Sequence, residues 1–228
     1  GTGSAGLNAL FVASRYLSAN DKVVLIDRNK FPGGMWNDTY DCVRLHQPYP
    51  MFTAGNIPWE IAQPFEELAS KRQVQEHFRH CLNVLGKRMS ISSYGGCEYI
   101  CHQEYEDRGI NKVLVRCRLQ ERQTIYEVHC EKLIKAFGFG IAPNAPLELS
   151  SSSVRSICPE QSAFTSPEFS NSSKPVYVIG GGKTGMDIAS QLLETTRGKK
   201  IYLVAGKGTV FINRNKAFPS GLRRWWDG

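Results

Sequence analysis

Two glycine clusters have the residue types and spacing that could bind phosphate groups. Gly1-Thr2-Gly3-Ser4-Ala5-Gly6 and Gly180-Gly181-Gly182-Lys183-Thr184-Gly185 both read G-x-G-x-x-G, about 180 residues apart. In this spacing the first glycine makes a tight turn, the second lets a pyrophosphate approach the backbone, and the third lets a helix pack on a sheet. The free N–H groups and the positive dipole end of that helix attract phosphate. The repetition therefore predicts two dinucleotide-binding turns.

The segment after the first cluster also has the pattern of a nucleotide site. Residues 22–27 form an apolar strand pattern that ends in Asp27, which lies 21 residues after Gly6. An acid about 20 residues beyond the glycines is the usual partner of ribose hydroxyls in dinucleotide folds. A lone glycine motif is weak support for such a site, but a strand and an acid at this distance make it strong. We predict that Asp27 binds the ribose of an unphosphorylated dinucleotide such as FAD.

The second cluster lies in a complete strand–turn–helix–strand pattern that lacks the acid. Strands are predicted at 175–179 and 200–204, with a helix at 186–196 between them. Gly206 stands at the interval where the first unit has its acid, and Lys207 follows directly. A cation at this place can pair with a 2′-phosphate that an acid would repel. The second unit is therefore predicted to bind NADPH.

The elements between the two clusters alternate between helical and strand patterns. Apolar residues at helical spacing predict helices over 4–18 and 70–86. Three alternating segments joined by short polar turns predict an antiparallel meander, and 131–136 is predicted to be a further strand. The meander segments are 97–104, 113–119 and 125–130.

The predicted fold class is α/β, with two Rossmann-like dinucleotide-binding units, for FAD and for NAD(P), and the meander between them. Residues 1–146 are predicted to form the FAD-binding domain, 147–174 a linker rich in Ser and Pro, and 175–228 the start of an NAD(P)H-binding domain. The first strand of the FAD unit is expected before Gly1, and the second domain ends early. We therefore expect the sequence to be a fragment of a longer protein.

Composition and charge limit the classes of protein that fit. No apolar run approaches the ~18 residues of a spanning helix, so no membrane segment is expected here. Residues 151–228 hold 11 Lys/Arg against 5 Asp/Glu, whereas the whole chain has a net charge of +7. A polyphosphate cofactor accounts for this basic half without nucleic acid. The seven scattered cysteines argue against a disulfide-stapled secreted domain, and a cytoplasmic location is expected.

Histidines and cysteines do not form a metal-binding pattern. His77 and His80 lie three apart on a predicted helix, but no third ligand is spaced to join them, so a solvated or cap-satisfied pair is favoured. Cys97 and Cys101 are expected on one face of a strand, because side chains alternate with a period of two. Two packed thiols are favoured over a metal site, and no metal is predicted.

Several segments resemble the class B flavin-dependent monooxygenases, which include the flavin-containing, N-hydroxylating and Baeyer–Villiger enzymes. Asp27-x5-Gly33-Gly34-x-Trp36 resembles their FAD signature, and residues 40–48 (YDCVRLHQP) resemble the segment that runs beside the flavin ring. Ala136-Phe137-Gly138 resembles the Ala-Thr-Gly at the crossing between domains. Residues 147–175 contain neither Gly nor His, so the F-x-G-x-x-x-H fingerprint expected there is absent.

The resemblance implies cofactor-binding roles for residues at the matching positions. His46 and Gln47 are the polar groups expected nearest the flavin, although His46 could equally anchor its loop by a hydrogen bond. The residues predicted to bind the cofactors, in addition to these two, are Gly1, Gly3, Ser4, Ala5, Gly6, Asp27, Arg28, Gly34, Trp36, Ala136, Gly138, Gly180, Gly182, Lys183, Thr184, Gly185 and Lys207.

The resemblance also implies an activity. NADPH would transfer a hydride to FAD, and the reduced flavin would activate O₂ and oxygenate a small organic substrate. Two alternatives stay open at this stage. One is a flavoprotein reductase or oxidase of the same fold without oxygenation, which the absent fingerprint favours, and the other is a non-catalytic nucleotide-binding protein. The sequence does not identify the substrate or the oligomeric state.

Overall fold

The computed structural model describes residues 1–65, 67–140, 142, 144–159, 164, 166–196 and 198–206. The chain divides into two compact units. The first unit comprises Gly1–Asp38, Pro50–Ala62 and Arg72–Ile141, and the second comprises Thr39–Tyr49, Gln63–Lys71 and Ala142–Gly228. The predicted domain boundaries at 146 and 174 stay a prediction.

The first unit combines two helices, two short 3₁₀ turns and two sheets. Its elements in chain order are α1 (Ser4–Ala13), β1 (Lys22–Asp27), 3₁₀ turns at Gly34–Asn37 and Tyr49–Met51 (the latter beginning in the second unit), α2 (Lys71–Gly86), β2 (Ser90–Gly95), β3 (Cys97–Asp107), β4 (Ile110–Leu119) and β5 (Thr124–Cys130). Strands β1 and β2 are parallel, in register from Lys22↔Ser90 to Asp27↔Gly95. Strands β3, β4 and β5 form an antiparallel sheet in that order. The fold is therefore mixed α/β with more than one sheet.

Helix α2 forms where the apolar spacing predicts it. Val74, Phe78, Cys81 and Leu85 are separated by four, three and four residues and are all buried. This spacing places them on one helical face, and burying such a face supplies most of a helix's stability. The ring of Phe52 stacks on Phe78 with centroids 5.6 Å apart, which fixes the segment 50–62 against the helix.

The prediction of a strand at 131–136 is wrong. The segment has no regular secondary structure, and in the part of the chain that the structure describes no strand pairs with it. β1 forms its ladder with β2 instead. An alternating pattern yields a strand only when a neighbouring strand offers hydrogen-bond partners to its backbone.

The expectation that Cys97 and Cys101 share one face of β3 is also wrong. The register of β3 against β4 shifts between Tyr99 and Cys101, so an extra residue interrupts the alternation. Cys97 is consequently buried beside Cys117 of β4, while Cys101 is exposed. Burial and the neighbouring Cys117 raise the pKa of the Cys97 thiol to about 12. The packed thiol pair is thus formed across two strands rather than along one.

The second unit contains the second glycine cluster. Its elements are α3 (Pro167–Asn171), β6 (Val176–Ile179), α4 (Lys183–Thr195) and β7 (Ile201–Val204). β6 and β7 are parallel, and α4, which connects them, buries Ile188 and Leu192. The segments 39–49 and 63–71 join through the bridge Arg44↔Ser70, with Leu45 donating its N–H to the Ala69 carbonyl at 2.9 Å. Among the described residues, no helix combines the length and the apolar composition that crossing a bilayer requires.

Candidate dinucleotide-binding sites

The first glycine cluster forms a tight turn that ends at the N-terminus of α1. Gly3 is the N-cap, with φ −83° and ψ −173°, and its carbonyl accepts the N–H of Leu7 at 3.0 Å. Because glycine caps the helix, no cap side chain occupies the first N–H groups, and Ser4 and Ala5 are exposed there. A Cβ on Gly6 would lie 1.7 Å from the carbonyl oxygen of Gly1, so this position excludes every other residue. The open amides are available to an anion.

A second close approach lies between Gly3 and Gly34. Gly34 has φ +54°, a conformation that glycine adopts without strain. A Cβ on Gly34 would lie 2.8 Å from the Cα of Gly3, and a Cβ on Gly3 would lie 3.1 Å from the Cα of Gly34. Two bare backbones therefore meet beside the start of α1. The FAD signature and the first glycine cluster are brought together by this contact.

Asp27 closes the turn from the end of β1. Its carboxylate accepts the N–H of Thr2 at 2.5 Å, the hydroxyl of Thr2 at 2.8 Å and the N–H of Asn29 at 2.8 Å. Both Asp27 and Thr2 are buried. Thr2 could not be singled out from the sequence, because the glycine motif leaves its position unspecified. The acid thus positions the turn itself, and its role toward a ribose stays a prediction.

The other residues predicted at the first site occupy different surroundings. The carbonyl of Ala136 lies against Gly1, since a Cβ on Gly1 would be 2.4 Å from its oxygen. Gly138 has φ +65° and open space around it. Arg28 forms an exposed ion pair with Asp38 at 3.2 Å. The ring of Trp36 packs on Phe52 at 5.9 Å between centroids.

The second glycine cluster repeats the geometry of the first. Gly182 is the N-cap of α4, with φ −79° and ψ −176°, and its carbonyl accepts the N–H of Met186 at 3.0 Å. A Cβ on Gly185 would lie 2.1 Å from the carbonyl oxygen of Gly180, which matches the contact of Gly6 with Gly1. Gly180 has φ +118° and donates its N–H to Val204 of β7 at 2.8 Å. A Cβ on Gly182 would meet no atom of the described residues within 4 Å.

The polar side chains of the second turn belong to a network with Tyr40. The ammonium of Lys183 hydrogen-bonds both carboxylate oxygens of Asp187 one turn later on α4. The hydroxyl of Tyr40 donates to the Asp187 carboxylate at 2.9 Å, and Thr184 hydrogen-bonds Tyr40. Burial, followed by the Asp187 charge, raises the pKa of Cys42 to about 11. The sequence pointed to Tyr40 only as part of the segment 40–48 expected beside the flavin ring. It did not point to Asp187, although the Lys–Asp spacing of four is visible in it.

The positions of three further residues relative to the cofactors stay predictions. His46 is exposed and Gln47 is half-buried in the second unit, next to the buried Leu45. Their predicted position beside the flavin stays a prediction. Lys207 lies outside the described residues. Gly206 before it is exposed, and a Cβ on Gly206 would meet no atom of the described residues within 4 Å.

His77 and His80 are not the solvated pair that the sequence favoured. The ring of His77 is buried and stacks on Trp59 at 4.0 Å between centroids, with Nε2 2.8 Å from the hydroxyl oxygen of Thr53. His80 contacts Glu60 at 2.9 Å. Among the described residues, no three His, Cys, Asp or Glu side chains are grouped to hold a metal ion. The ring of His77 therefore packs against Trp59.

The buried His77 ring gives a testable pH dependence. The Thr53 hydroxyl donates to the Ile57 carbonyl at 2.6 Å, so Nε2–H of His77 donates to Thr53. Nδ1 of His77 is buried and has no partner among the described residues. Burial, and then the charge of His80, lower the pKa of His77 to about 4. As the pH falls, the imidazole of His77 therefore binds a proton near pH 6.5 in the unfolded chain, but only near pH 4 in the folded chain. We expect the contribution of neutral His77 to the free energy of unfolding to be fully present above pH 6.5 and to be lost as the pH drops toward 4.

Urea unfolding of the full-length protein between pH 4 and 7 measures this slope. His77→Phe keeps a ring against Trp59 and removes the titration, so its slope should be smaller than that of the wild type. His129→Gln changes an exposed histidine and should keep the wild-type slope. If the free energy of unfolding of His77→Phe depends on pH as steeply as that of the wild type, the pH dependence does not come from His77.

The whole arrangement is similar to known flavin monooxygenases. A flavin-containing monooxygenase from Stenotrophomonas maltophilia matches 94% of this chain and 58% of its own, with a TM-score of 0.57 and 14% identity. An ornithine N-hydroxylase from Kutzneria sp. 744, described with reduced FAD, NADP⁺ and L-ornithine, matches 99% of this chain and 58% of its own, with a TM-score of 0.56 and 16% identity. The fold is therefore that of the flavin monooxygenases.

The sequence comparisons define the family more closely. The profile of the L-lysine 6-monooxygenase/L-ornithine 5-monooxygenase family matches residues 74–219, and the chain belongs to this family. Uncharacterized proteins of Mycobacterium bovis and Mycobacterium tuberculosis are 26% identical over 209 residues, covering 84% of this chain and 35% of theirs. The chain thus spans about a third of the length of the curated relatives it matches.

Proposed function

We propose that the full-length protein is an FAD- and NADPH-dependent monooxygenase that oxygenates a small organic substrate with O₂. The observation that carries the proposal is the repeated glycine turn. Two helix N-termini, at Gly3 and Gly182, share backbone angles within about 4° of each other and the same third-glycine contact. Family membership adds the chemistry expected of a protein with two such turns. The predicted division into an FAD domain, a linker and an NAD(P)H domain is part of this proposal.

The first turn fits FAD. The Gly3–Gly34 approach leaves a backbone surface that a single Cβ would obstruct, and the amides at the start of α1 are open. These groups would hold the pyrophosphate, with Asp27 and Thr2 keeping the turn in shape. Bound FAD would supply the redox chemistry. The protein's share of that chemistry is to bind, orient and exclude water, because no side chain in this turn is an evident acid or base catalyst.

The second turn fits NADPH. Its open amides at Gly182 would hold the pyrophosphate, and Lys183 adds a positive charge at the same place. The absence of an acid at Gly206 and the presence of Lys207 after it favour the phosphorylated dinucleotide. We propose a cytoplasmic location from the cysteine pattern, in keeping with seven free thiols.

The substrate class follows from the family rather than from the described geometry. L-lysine and L-ornithine both carry a terminal primary amine, a nucleophile that can accept an oxygen atom from an oxygenating flavin. The test uses the FAD-loaded full-length protein with NADPH and O₂ and each amino acid in turn. We expect NADPH oxidation together with a hydroxylated amine, detected by mass spectrometry. Protein that retains no flavin and binds no NADPH would contradict the proposal and favour a non-catalytic nucleotide-binding role.

One observation favours a second candidate, a flavoprotein oxidase or reductase without oxygenation. Residues 147–175 lack the Gly and His of the linker fingerprint of flavin monooxygenases. In this case each NADPH consumed would yield hydrogen peroxide or a reduced acceptor, and no oxygenated product. Measuring peroxide and product in the same reaction separates the two candidates.

Cofactor choice at the second turn can be reversed by one substitution. A Cβ on Gly206 would meet no atom of the described residues within 4 Å, so an aspartate fits there without a clash against them. We expect Gly206→Asp to admit NADH and to raise the Michaelis constant for NADPH roughly tenfold, because the carboxylate repels the 2′-phosphate and binds a free ribose hydroxyl. Steady-state flavin reduction by both nucleotides measures the change.

Lys207→Ala is the matched variant of this cofactor test. It should raise the Michaelis constant for NADPH about tenfold and leave that for NADH nearly unchanged, because NADH has no phosphate at that position. A wild type that prefers NADH, or a Lys207→Ala variant that weakens both nucleotides equally, would show that the second turn is misassigned.

A further inference from the structure

The second glycine turn carries a charge arrangement that the first turn lacks. Lys183 is the first residue of α4, where the helix dipole is positive and a cation is disfavoured. Ser4 occupies the same place in α1 and carries no charge. A lysine at this end of a helix therefore needs an anionic partner. In the structure that partner is Asp187, on the next turn of the same helix.

The Lys183–Asp187 pair is partly removed from water. The side chain of Asp187 is 13% exposed and that of Lys183 is 27% exposed. Both carboxylate oxygens contact the ammonium, and one of them also accepts the Tyr40 hydroxyl at 2.9 Å. Limited exposure reduces screening, so the negative charge of Asp187 acts over the neighbouring turn more strongly than a surface charge would.

Tyr40 connects this pair to a different part of the second unit. It is buried, and it belongs to the segment 39–49 that precedes α4 by more than a hundred residues. Its hydroxyl donates to Asp187, and Thr184 of the glycine turn hydrogen-bonds the same tyrosine. The hydrogen bond from the Tyr40 hydroxyl offsets part of the negative charge of the Asp187 carboxylate. The two polar side chains of the turn are thus both held in this network.

We propose that Asp187 competes with the dinucleotide pyrophosphate for Lys183 and thereby sets the affinity of the second turn for NADPH. Lys183 lies at the helix N-terminus, and Asp187 lies about 6 Å further along the axis, at 1.5 Å per residue. A pyrophosphate at the N-terminal amides is drawn to the ammonium and repelled by the carboxylate. Binding therefore requires Lys183 to exchange a protein anion for a ligand anion. This inference rests on the proposed function of the second turn.

The competition predicts that neutral replacements of Asp187 and Lys183 change the affinity for NADP⁺ in opposite directions. Asp187→Asn keeps the size of the side chain and an oxygen that can accept the Tyr40 hydroxyl. It removes the repulsion between the carboxylate and the pyrophosphate and frees Lys183, so the Kd for NADP⁺ should fall about three- to tenfold. Lys183→Met leaves the carboxylate uncompensated, so the Kd should rise tenfold or more. Adding Asp187→Asn to Lys183→Met should recover part of the loss. A structural role for Asp187 alone predicts weaker binding in Asp187→Asn.

The test is calorimetric titration of NADP⁺ onto the FAD-loaded full-length protein, with the melting temperature of each variant recorded. Tyr40→Phe removes one hydroxyl, strengthens the hold of Asp187 on Lys183 and should raise the Kd about two- to threefold. This variant keeps the idea falsifiable should Asp187→Asn fold poorly. Adenosine 2′-monophosphate, which has no pyrophosphate, should bind all variants alike.

Different failures point to different errors. A wild type that does not bind NADP⁺ overturns the proposed function of the turn and this inference with it. A wild type that binds NADP⁺, combined with an Asp187→Asn variant that binds no tighter, overturns the inference alone. A Tyr40→Phe variant that binds NADP⁺ more tightly also overturns it.

Discussion

Gly182→Val in the full-length protein is expected to weaken NADPH binding roughly 100-fold while FAD stays bound. A Cβ at this position would meet no atom of the described residues within 4 Å, and the backbone angles, φ −79° and ψ −176°, are open to any residue. The described residues therefore leave room for the Cβ of the new side chain. The space it fills is the approach to the N-terminal amides of α4, where the pyrophosphate is proposed to lie. We expect the Kd for NADP⁺ to rise roughly 100-fold, about 2.7 kcal/mol.

Calorimetry with NADP⁺ and the flavin absorbance of the purified variant measure the two halves of this prediction. Gly86→Val is the matched control, because its Cβ also meets open space but lies at the end of α2. It should bind NADP⁺ as the wild type does. Wild-type affinity in Gly182→Val would mean that the pyrophosphate does not use the second turn.

The local geometry of both turns could be predicted from the sequence, because it depends on residues close together in the chain. The contact of Gly6 with the Gly1 carbonyl, and that of Gly185 with the Gly180 carbonyl, each span five residues. Glycine is required there by the absence of space for a Cβ, so the spacing alone carries the information. The same holds for α2, whose apolar face repeats at helical spacing.

Features that depend on distant partners could not be predicted in the same way. Tyr40 and Asp187 are separated by 147 residues, and nothing near either residue in the sequence indicates the hydrogen bond between them. The exposure of Cys101 depends on a register shift against β4, which a period of two cannot anticipate. His77 was expected to be solvated or satisfied at a cap because no third ligand is spaced to join it and His80, whereas Trp59 and Thr53 provide a buried place for its ring. In each case the deciding group lies on another segment.

The first turn is expected to respond to the matching substitution in a different way. Gly3→Val should abolish FAD retention, but a Cβ on Gly3 would also lie 3.1 Å from the Cα of Gly34. Gly34 has φ +54° and carries no side chain that could give way, so the two backbones must separate. We therefore expect both a loss of flavin and a lower melting temperature for the flavin-free protein. Gly182→Val should show no such loss of stability, since its Cβ meets no atom of the described residues within 4 Å.

Flavin absorbance after gel filtration and thermal unfolding of the flavin-free proteins measure this difference. The comparison must use flavin-free wild type, because a ligand that binds only the folded state raises the melting temperature by itself. Gly86→Val is again the control, since a Cβ on Gly86 would meet no atom of the described residues within 4 Å and this glycine lies at the end of α2, outside both glycine clusters. It should keep its flavin. A Gly3→Val protein with wild-type flavin content would contradict the assignment of the first turn to FAD, and one with wild-type stability would contradict the close approach of Gly3 to Gly34.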